Sequence, residues 1–134
     1  MSINFNEEDF DHVKIAVIDF DGTIVKHRFP DIGEPLTEAF EVMKDLQKAG
    51  WILILWTCRE DPSDELRQEF QFLTNAVEFC KKNGVEFDSV NETPLDLEFR
   101  TGDTLRRKVY GNVYIDDRNL GGFPGWEEVR KRLL

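Results

Sequence analysis

The sequence predicts an α/β fold, a three-layer sandwich around a central parallel sheet, with no separate cap domain. Short apolar runs alternate along the chain with segments whose apolar residues recur every three or four positions, which is the pattern of strands alternating with helices. Short connections join these segments. Polar residues directly follow three of the apolar runs, and in parallel sheets ligands bind beyond the carboxyl ends of the strands.

Four apolar runs are predicted to be strands. The first is rich in β-branched residues and the second is continuously apolar, as expected of strands that are covered on both faces. In chain order, the predicted strands cover residues 14–19, 51–56, 85–90 and 112–115.

Three segments with helical periodicity are predicted to be helices. The first begins at Pro35, a residue type suited to the first helical position, and ends at Gly50. The second carries an apolar stripe from Leu66 to Cys80. The third covers residues 126–134, after a glycine-rich turn.

The composition indicates one globular domain over residues 1–134, with a formal net charge of −10. This charge argues against a broad basic surface that binds duplex nucleic acid. It favours binding of a divalent cation and does not exclude a local basic pocket for a phosphate group. Cys58 and Cys80 form neither a zinc-binding spacing nor a disulfide framework, and both are predicted to be buried thiols. No apolar run approaches membrane-spanning length and no export segment is recognisable, so we expect a soluble cytoplasmic protein without a membrane partner.

Acidic residues gather at the predicted strand ends. Asp19 and Asp21 follow the first strand two positions apart, on the same side of the pleat, and Asp116 and Asp117 follow the last. Paired acids at the end of a core strand are costly unless their charge is used, and carboxylate oxygens are the ligands that Mg²⁺ prefers. The pattern predicts a magnesium site, although Asp116 and Asp117 also suit the start of a turn or a helix cap.

A carboxylate beside a bound cation can attack phosphorus and form an aspartyl-phosphate, which water then hydrolyses. A hydroxyl and a cationic side chain are needed for the remaining phosphoryl oxygens. Thr57, at the end of the second strand, supplies the hydroxyl. Several basic residues are candidates for the charge: Lys108, which precedes the last strand, and alternatively Arg107, Arg106 or Arg59.

These residues, in this order, resemble the four motifs of the haloacid dehalogenase superfamily. The first motif is Asp19-Phe20-Asp21-Gly22-Thr23, and Thr57, a basic residue before the last strand, and Asp116-Asp117 follow it. The resemblance covers residues 14–119 and implies a phosphatase, because dehalogenase members lack the acid found here at Asp21. It also implies a capless or minimally capped member, since the connections after the first two strands are too short to fold as domains.

The resemblance implies a role for each motif residue. Asp19 is the implied nucleophile, and Asp21 the implied general acid and base and a Mg²⁺ ligand through its backbone carbonyl. Thr57 is implied to bind the transferring phosphoryl group, and Lys108 to pair with that group and with Asp19. The fourth motif is implied to bind the metal directly through Asp117, with Asp116 in or near its second shell.

The substrate that we expect is a small phosphorylated metabolite, such as a sugar phosphate or a nucleotide. Arg59 after the second motif and Arg118 after the fourth resemble polynucleotide 3′-phosphatase members of the same superfamily, so a nucleic-acid end is the alternative substrate, held in a groove that would also involve Arg106, Arg107 and Lys108. A non-catalytic module that binds Mg²⁺ or phosphate is a third interpretation.

Two loops have alternative interpretations. His27, Arg28 and Phe29 follow the first motif and either touch the leaving group of the substrate or lie on the surface without a role. Phe123 and Trp126 flank the glycine-rich turn and either pin that loop to the core or form a stacking wall for a base or a sugar.

Overall fold

The computed structural model describes residues 13–64, 67, 69–94 and 108–134. Within these ranges it contains four strands and three helices. In chain order they are β1 (Ile15–Ile18), α1 (Ala39–Lys48), β2 (Ile52–Leu55), α2 (Phe72–Lys82), β3 (Ser89–Val90), β4 (Val113–Ile115) and α3 (Trp126–Leu133).

The four strands form one parallel sheet in the order β3-β2-β1-β4. Ile18, the last residue of β1, pairs with Leu55 at the end of β2 and with Ile115 at the end of β4. The carboxyl ends of these three strands therefore lie side by side at one edge of the sheet. This arrangement confirms the predicted α/β fold with a central parallel sheet, and the part of the chain that the structure describes contains no separate cap domain.

The main core lies between one face of the sheet and the helices. Ala16 and Ile18 of β1 point to this face, where buried residues of α1, α2 and α3 pack on them. The alternate residues of β1, Ile15 and Val17, point to the other face and pack with Ile54 and Val109. All three helices of the described residues thus form a single layer. The described residues place helices on one face of the sheet, and the predicted third layer stays a prediction.

The first helix begins later than the sequence predicts. Pro35 does not open α1 but forms an antiparallel bridge with Val25, and the N–H of Leu36 donates to the carbonyl of Ile24 at 2.8 Å. Proline fits this place because the bridge needs no donor from it. The segment between β1 and α1 consequently folds back on itself as a closed loop, and α1 begins only at Ala39.

The second helix is also shorter than predicted. It begins at Phe72, and Leu66, where the predicted stripe started, lies outside the described residues. Asp61 decides the start, because its carboxylate accepts hydrogen bonds from the N–H groups of Leu73 and Thr74 at 2.9 and 3.0 Å. The first N–H groups of a helix have no partner within the helix, and an acidic side chain that accepts their hydrogen bonds stabilises the helix start. Asp61 does so although ten residues separate it from Phe72 along the chain.

The two cysteines differ in environment. Both are free, and Cys80 is buried as predicted, but Cys58 is exposed. The prediction for Cys58 was wrong because the residue comes just after β2 ends, where the chain has left the core. Among the described residues, no helix combines the length and the apolar content that crossing a lipid bilayer requires.

Candidate active site

One cavity of about 420 Å³ opens at the edge where β1, β2 and β4 end. It gathers most of the residues that the sequence singled out, because the parallel register brings the strand ends together. The predicted residues that line it are Asp19, Asp21, His27, Thr57, Arg59, Asp117 and Arg118. Phe29 and Cys58 line it as well. A larger cavity, of about 770 Å³, runs along α2 and contains none of the predicted site residues.

Three half-buried carboxylates meet at this edge. One oxygen each from Asp19, Asp116 and Asp117 lies within 4.8 Å of the other two. Burial, then the charge of Asp116, then a hydrogen bond with Asp117 raise the pKa of Asp19 to about 7. An all-oxygen cluster in which one carboxylate resists ionisation suits a hard divalent cation, whose positive charge would relieve that repulsion.

Thr23 connects two of these acids. Its buried hydroxyl donates to Asp19 Oδ2 at 3.1 Å and accepts the backbone N–H of Asp117 at 3.0 Å, so it joins the end of β1 to the end of β4. The indole N–H of Trp126 donates to the carbonyl of Thr23 at 2.7 Å. Trp126 is therefore a core residue that supports the site, as the first of its two interpretations held. Sequence reasoning gave no role to Thr23, although the motif contains it.

The close approach of the Asp117 carboxylate to the backbone requires glycine at position 22. Its φ is +88°, a conformation that side chains disfavour, and a Cβ atom at this position would collide with the carboxylate of Asp117.

We therefore expect Gly22→Ala to push Asp117 away and to weaken binding of Mg²⁺ at least about tenfold, a loss typical of disturbed metal sites. Calorimetric titration with MgCl₂ measures this effect. Gly121→Ala is the matched control, because Gly121 also has a positive φ, +92°, but has nothing within 4 Å of its would-be Cβ. Equal affinities in the two variants would contradict the expectation.

Asp21 does not join the carboxylate cluster but pairs with Arg59. The Nε and Nη2 atoms of Arg59 donate to the two oxygens of Asp21, each at 2.8 Å. Only 1% of the Arg59 side chain and 14% of the Asp21 side chain are exposed. Such a buried, two-pronged pair fixes the orientation of the carboxylate. Asp21 still lines the cavity, and each of its oxygens keeps a further lone pair for another donor.

All five N–H groups of Arg59 have acceptors within the protein. Besides its two bonds to Asp21, Nη2 donates to the carbonyl of Asp31 at 2.9 Å, and Nη1 donates to those of Pro30 and Phe72 at 3.3 and 3.5 Å. In this arrangement Arg59 has no N–H left for a substrate. It acts instead as a clamp that holds Asp21, the loop after β1 and the start of α2.

Thr57 is placed as the sequence predicts, at the end of β2 and in the cavity wall. Its N–H donates to Asn91 Oδ1 at 2.8 Å, and its hydroxyl oxygen accepts the N–H of Arg59 at 3.1 Å. The hydroxyl proton remains available to a ligand. Asn91, a positioning residue that sequence reasoning missed, adopts a positive φ of 56°, which asparagine tolerates better than most residues.

The structure does not bring Lys108 to the cavity. Its ammonium group lies 4.8 Å from the centre of the Tyr114 ring, an arrangement that favours a cation–π contact on the other face of the sheet. Arg106 and Arg107, the neighbouring candidates, lie outside the described residues. Arg118 does line the cavity. Its N–H donates to Asp116 Oδ1 at 2.8 Å, so Asp116 also forms the turn that the sequence offered as an alternative.

Together, the fold and the cavity define an α/β protein with a parallel sheet and an acidic, strand-end site. A scan against protein-family models found no match, and a search of curated proteins found none either. Among solved structures, the chain is 38% identical to a conserved protein from Bacteroides thetaiotaomicron, with a TM-score of 0.74. The match covers 90% of this chain and 88% of that one. The chain therefore belongs to the same protein family as that conserved protein.

Proposed function

We propose that this protein is a magnesium-dependent phosphomonoester hydrolase, a capless member of the haloacid dehalogenase superfamily that works through an aspartyl-phosphate. The observation that carries the proposal is the position of Asp19, which lies within a cluster of three carboxylates and lines the same cavity as the hydroxyl of Thr57. A nucleophile, a cation site and a phosphoryl-binding donor are the parts that this reaction needs.

The metal would be held by Asp19 and Asp117, together with the backbone carbonyl of Asp21, and Asp116 would lie close by. When bound, Mg²⁺ supplies positive charge that offsets the repulsion between a carboxylate and a phosphate dianion. The donor set fits this ion, because all of these ligand atoms are oxygens and because burial and like charge hold the pKa of Asp19 at about 7.

In the first chemical step, an oxygen of Asp19 attacks phosphorus and the bond to the leaving alcohol breaks. The hydroxyl of Thr57 donates to a phosphoryl oxygen, and Arg118, the exposed cation of the cavity wall, approaches another. In the second step, water attacks phosphorus and the bond to Asp19 breaks. Asp21 gives a proton to the leaving alcohol in the first step and takes one from the water in the second, while Arg59 keeps it oriented.

A small phosphorylated metabolite is the substrate class that we propose. A cavity of about 420 Å³ is within the range of about 300–1,000 Å³ that holds small molecules. The net charge of −10 opposes a long nucleic-acid strand. Arg118 in the cavity wall favours a nucleic-acid end as the second candidate. Arg59, the other arginine in the resemblance to polynucleotide 3′-phosphatases, has all its N–H groups bonded within the protein. Two free cysteines suit a reducing compartment, and a cytoplasmic location is part of the proposal.

We expect hydrolysis of p-nitrophenyl phosphate that requires MgCl₂, stops with EDTA, and is lost in Asp117→Ala. Removing this carboxylate takes away a metal ligand, so the variant should bind Mg²⁺ at least about tenfold more weakly in calorimetric titration. Glu127→Ala is the control, because the Glu127 side chain is 76% exposed on α3 and its removal deletes the same charge elsewhere.

Turnover that persists in EDTA, or an unchanged Mg²⁺ affinity in Asp117→Ala, would contradict the metal assignment. Binding of Mg²⁺ without turnover on any of a broad set of phosphomonoesters would favour the non-catalytic module instead.

A further inference from the structure

An aromatic ring forms part of the cavity wall, among lining residues that otherwise are Cys58 and polar or charged side chains. Phe29 lines it together with Asp19, Thr57 and Arg118, and 49% of Phe29 is exposed. A large apolar side chain that stays half in water next to charged groups gives up hydrophobic stabilisation of the free protein. A bound ligand with an apolar surface would recover that stabilisation.

Arg59 and Phe72 hold the Phe29 ring in place. The guanidinium carbon of Arg59 lies 5.1 Å from the centre of the Phe29 ring and 5.1 Å from that of Phe20. The ring of Phe72 packs against Phe29 with its centre at 5.3 Å and the planes tilted by 63°. Arg59 is buried, and it and Phe72 both contact the Phe29 ring. Phe29 is therefore positioned before a ligand binds, which lowers the entropic cost of stacking on it.

The backbone after Phe29 is fixed by the same arginine. Its Nη1 and Nη2 atoms donate to the carbonyls of Pro30 and Asp31. The same guanidinium holds Asp21, so the aromatic wall and the reacting end of the cavity share one support. The distance between the ring and the site of phosphoryl transfer is therefore set by the protein and not by the ligand.

We propose that Phe29 stacks on the aromatic base of a nucleoside monophosphate whose phosphoryl group reaches Asp19. The assignment rests on the proposed function and narrows its substrate class. A cavity of about 420 Å³ exceeds the needs of a phosphate group alone, and every base has a flat face for an aromatic ring. The net charge of −10 favours a free nucleotide with one phosphate over a strand with many.

The test compares adenosine 5′-monophosphate with ribose 5-phosphate. Both esters release a primary 5′-hydroxyl, so their chemical steps are alike and the base is the main difference between them. We expect kcat/KM for the nucleotide to exceed that for the sugar phosphate by about tenfold, as stacking on one aromatic side chain predicts. Phe29→Leu should remove most of this preference, which is measured as the ratio of kcat/KM for the two esters.

Phe70→Leu is the matched control. Phe70 is 44% exposed and packs on Phe72, with ring centres 5.9 Å apart, but it does not line the cavity. We expect it to keep the preference for the nucleotide. Equal kcat/KM for the two esters in the parent protein, or an equal loss of preference in both variants, would overturn the assignment. A 3′-phosphorylated oligonucleotide that is hydrolysed more efficiently than the mononucleotide would overturn it in favour of nucleic-acid ends.

A binding measurement keeps the test decisive if neither ester is hydrolysed. Cys58 is exposed in the cavity wall and Cys80 is buried, so 5,5′-dithiobis(2-nitrobenzoate) should modify Cys58 selectively. With MgCl₂ present, adenosine 5′-monophosphate should protect Cys58 at about tenfold lower concentration than ribose 5-phosphate, and Phe29→Leu should abolish the difference. Such protection without turnover would contradict the hydrolase but support the stacking role of Phe29. Equal protection by both ligands would contradict the stacking role itself.

Discussion

Replacing Asp19 with asparagine is expected to lower turnover of p-nitrophenyl phosphate by at least about 1,000-fold, as loss of a nucleophile does in other enzymes. Asparagine has nearly the same shape and can still accept the hydrogen bond from Thr23, so the fold should persist. Steady-state kinetics with saturating MgCl₂ measures the effect. Activity within about tenfold of the parent would contradict the role of Asp19 as nucleophile.

The same substitution should stabilise the metal-free protein at high pH. The pKa of Asp19 is about 7 in the folded protein, against an ordinary value of 3.8, so the folded state holds this proton more tightly than the unfolded state does. Stability linked to Asp19 is therefore fully present below pH 3.8 and is lost as the pH rises through about 7. Asparagine, which stays neutral, avoids that loss.

Thermal unfolding in EDTA measures this second effect. At pH 8 we expect Asp19→Asn to have a Tm at least about 3 °C above that of the parent, which corresponds to roughly 1 kcal/mol for a domain of this size. At pH 5, where Asp19 is largely protonated in the folded parent, the difference should shrink. The comparison at pH 5 is the internal control, and a Tm difference that does not change between the two pH values would show that folding does not raise the pKa of Asp19.

Removing the guanidinium of Arg59 should have the largest effect on stability. Arg59→Ala leaves the Asp21 carboxylate without its partner and the carbonyls of Pro30 and Asp31 without their donors. Breaking a buried ion pair from one side costs about 3–5 kcal/mol. We expect a loss of at least about 3 kcal/mol in the free energy of unfolding, measured by urea denaturation.

Arg130→Ala is the matched control for this prediction. Arg130 donates to Asp45 at 2.8 Å, the same distance as in the Arg59–Asp21 pair, but its side chain is 38% exposed and that of Asp45 is 40% exposed. Surface pairs of this kind contribute about 0–1 kcal/mol. Comparable losses in the two variants would show that burial does not set the strength of the Arg59 clamp.

Arg59→Lys separates charge from shape. Lysine keeps the positive charge but lacks the planar fork that reaches both Asp21 oxygens and the loop carbonyls together. It should therefore recover only a minor part of the stability that Arg59→Ala loses. Full recovery would mean that Arg59 acts as a point charge.

The sequence anticipated much of the architecture because its signals are local. A β-branched run before Asp19, a continuous apolar run before Thr57 and a short run before Asp116 each identify a buried strand from neighbouring residues alone. Helix starts were less accurate. Pro35 carries a local signal for a helix start, but its bridge to Val25 is a contact across a loop, and the cap on α2 comes from Asp61.

The parallel order of the strand ends explains why most of the predicted site residues line one cavity. When strands are parallel neighbours, the residues just after them lie close together. The meeting of Asp19, Thr57 and Asp117 at one cavity could therefore be predicted without knowledge of side-chain directions. Lys108 was proposed from its position before the last strand and from the resemblance, and neither fixes where its side chain lies. In the structure its ammonium group lies 4.8 Å from the centre of the Tyr114 ring, on the face of the sheet away from the main core.

By itself, the sequence determined the class of fold, the edge of the sheet where the cavity lies and the acids that meet there, since these follow from periodicity and from the alternation of elements. Only the tertiary structure decided that Asp21 pairs with Arg59, that Thr23 joins Asp19 to Asp117, and that Phe29 forms a wall. Most of these contacts join residues that are distant along the chain, such as Asp21 and Arg59, 38 positions apart, and Thr23 and Asp117, 94 positions apart. Their partners depend on which donors and acceptors remain unpaired after the backbone has folded, and no local pattern encodes that.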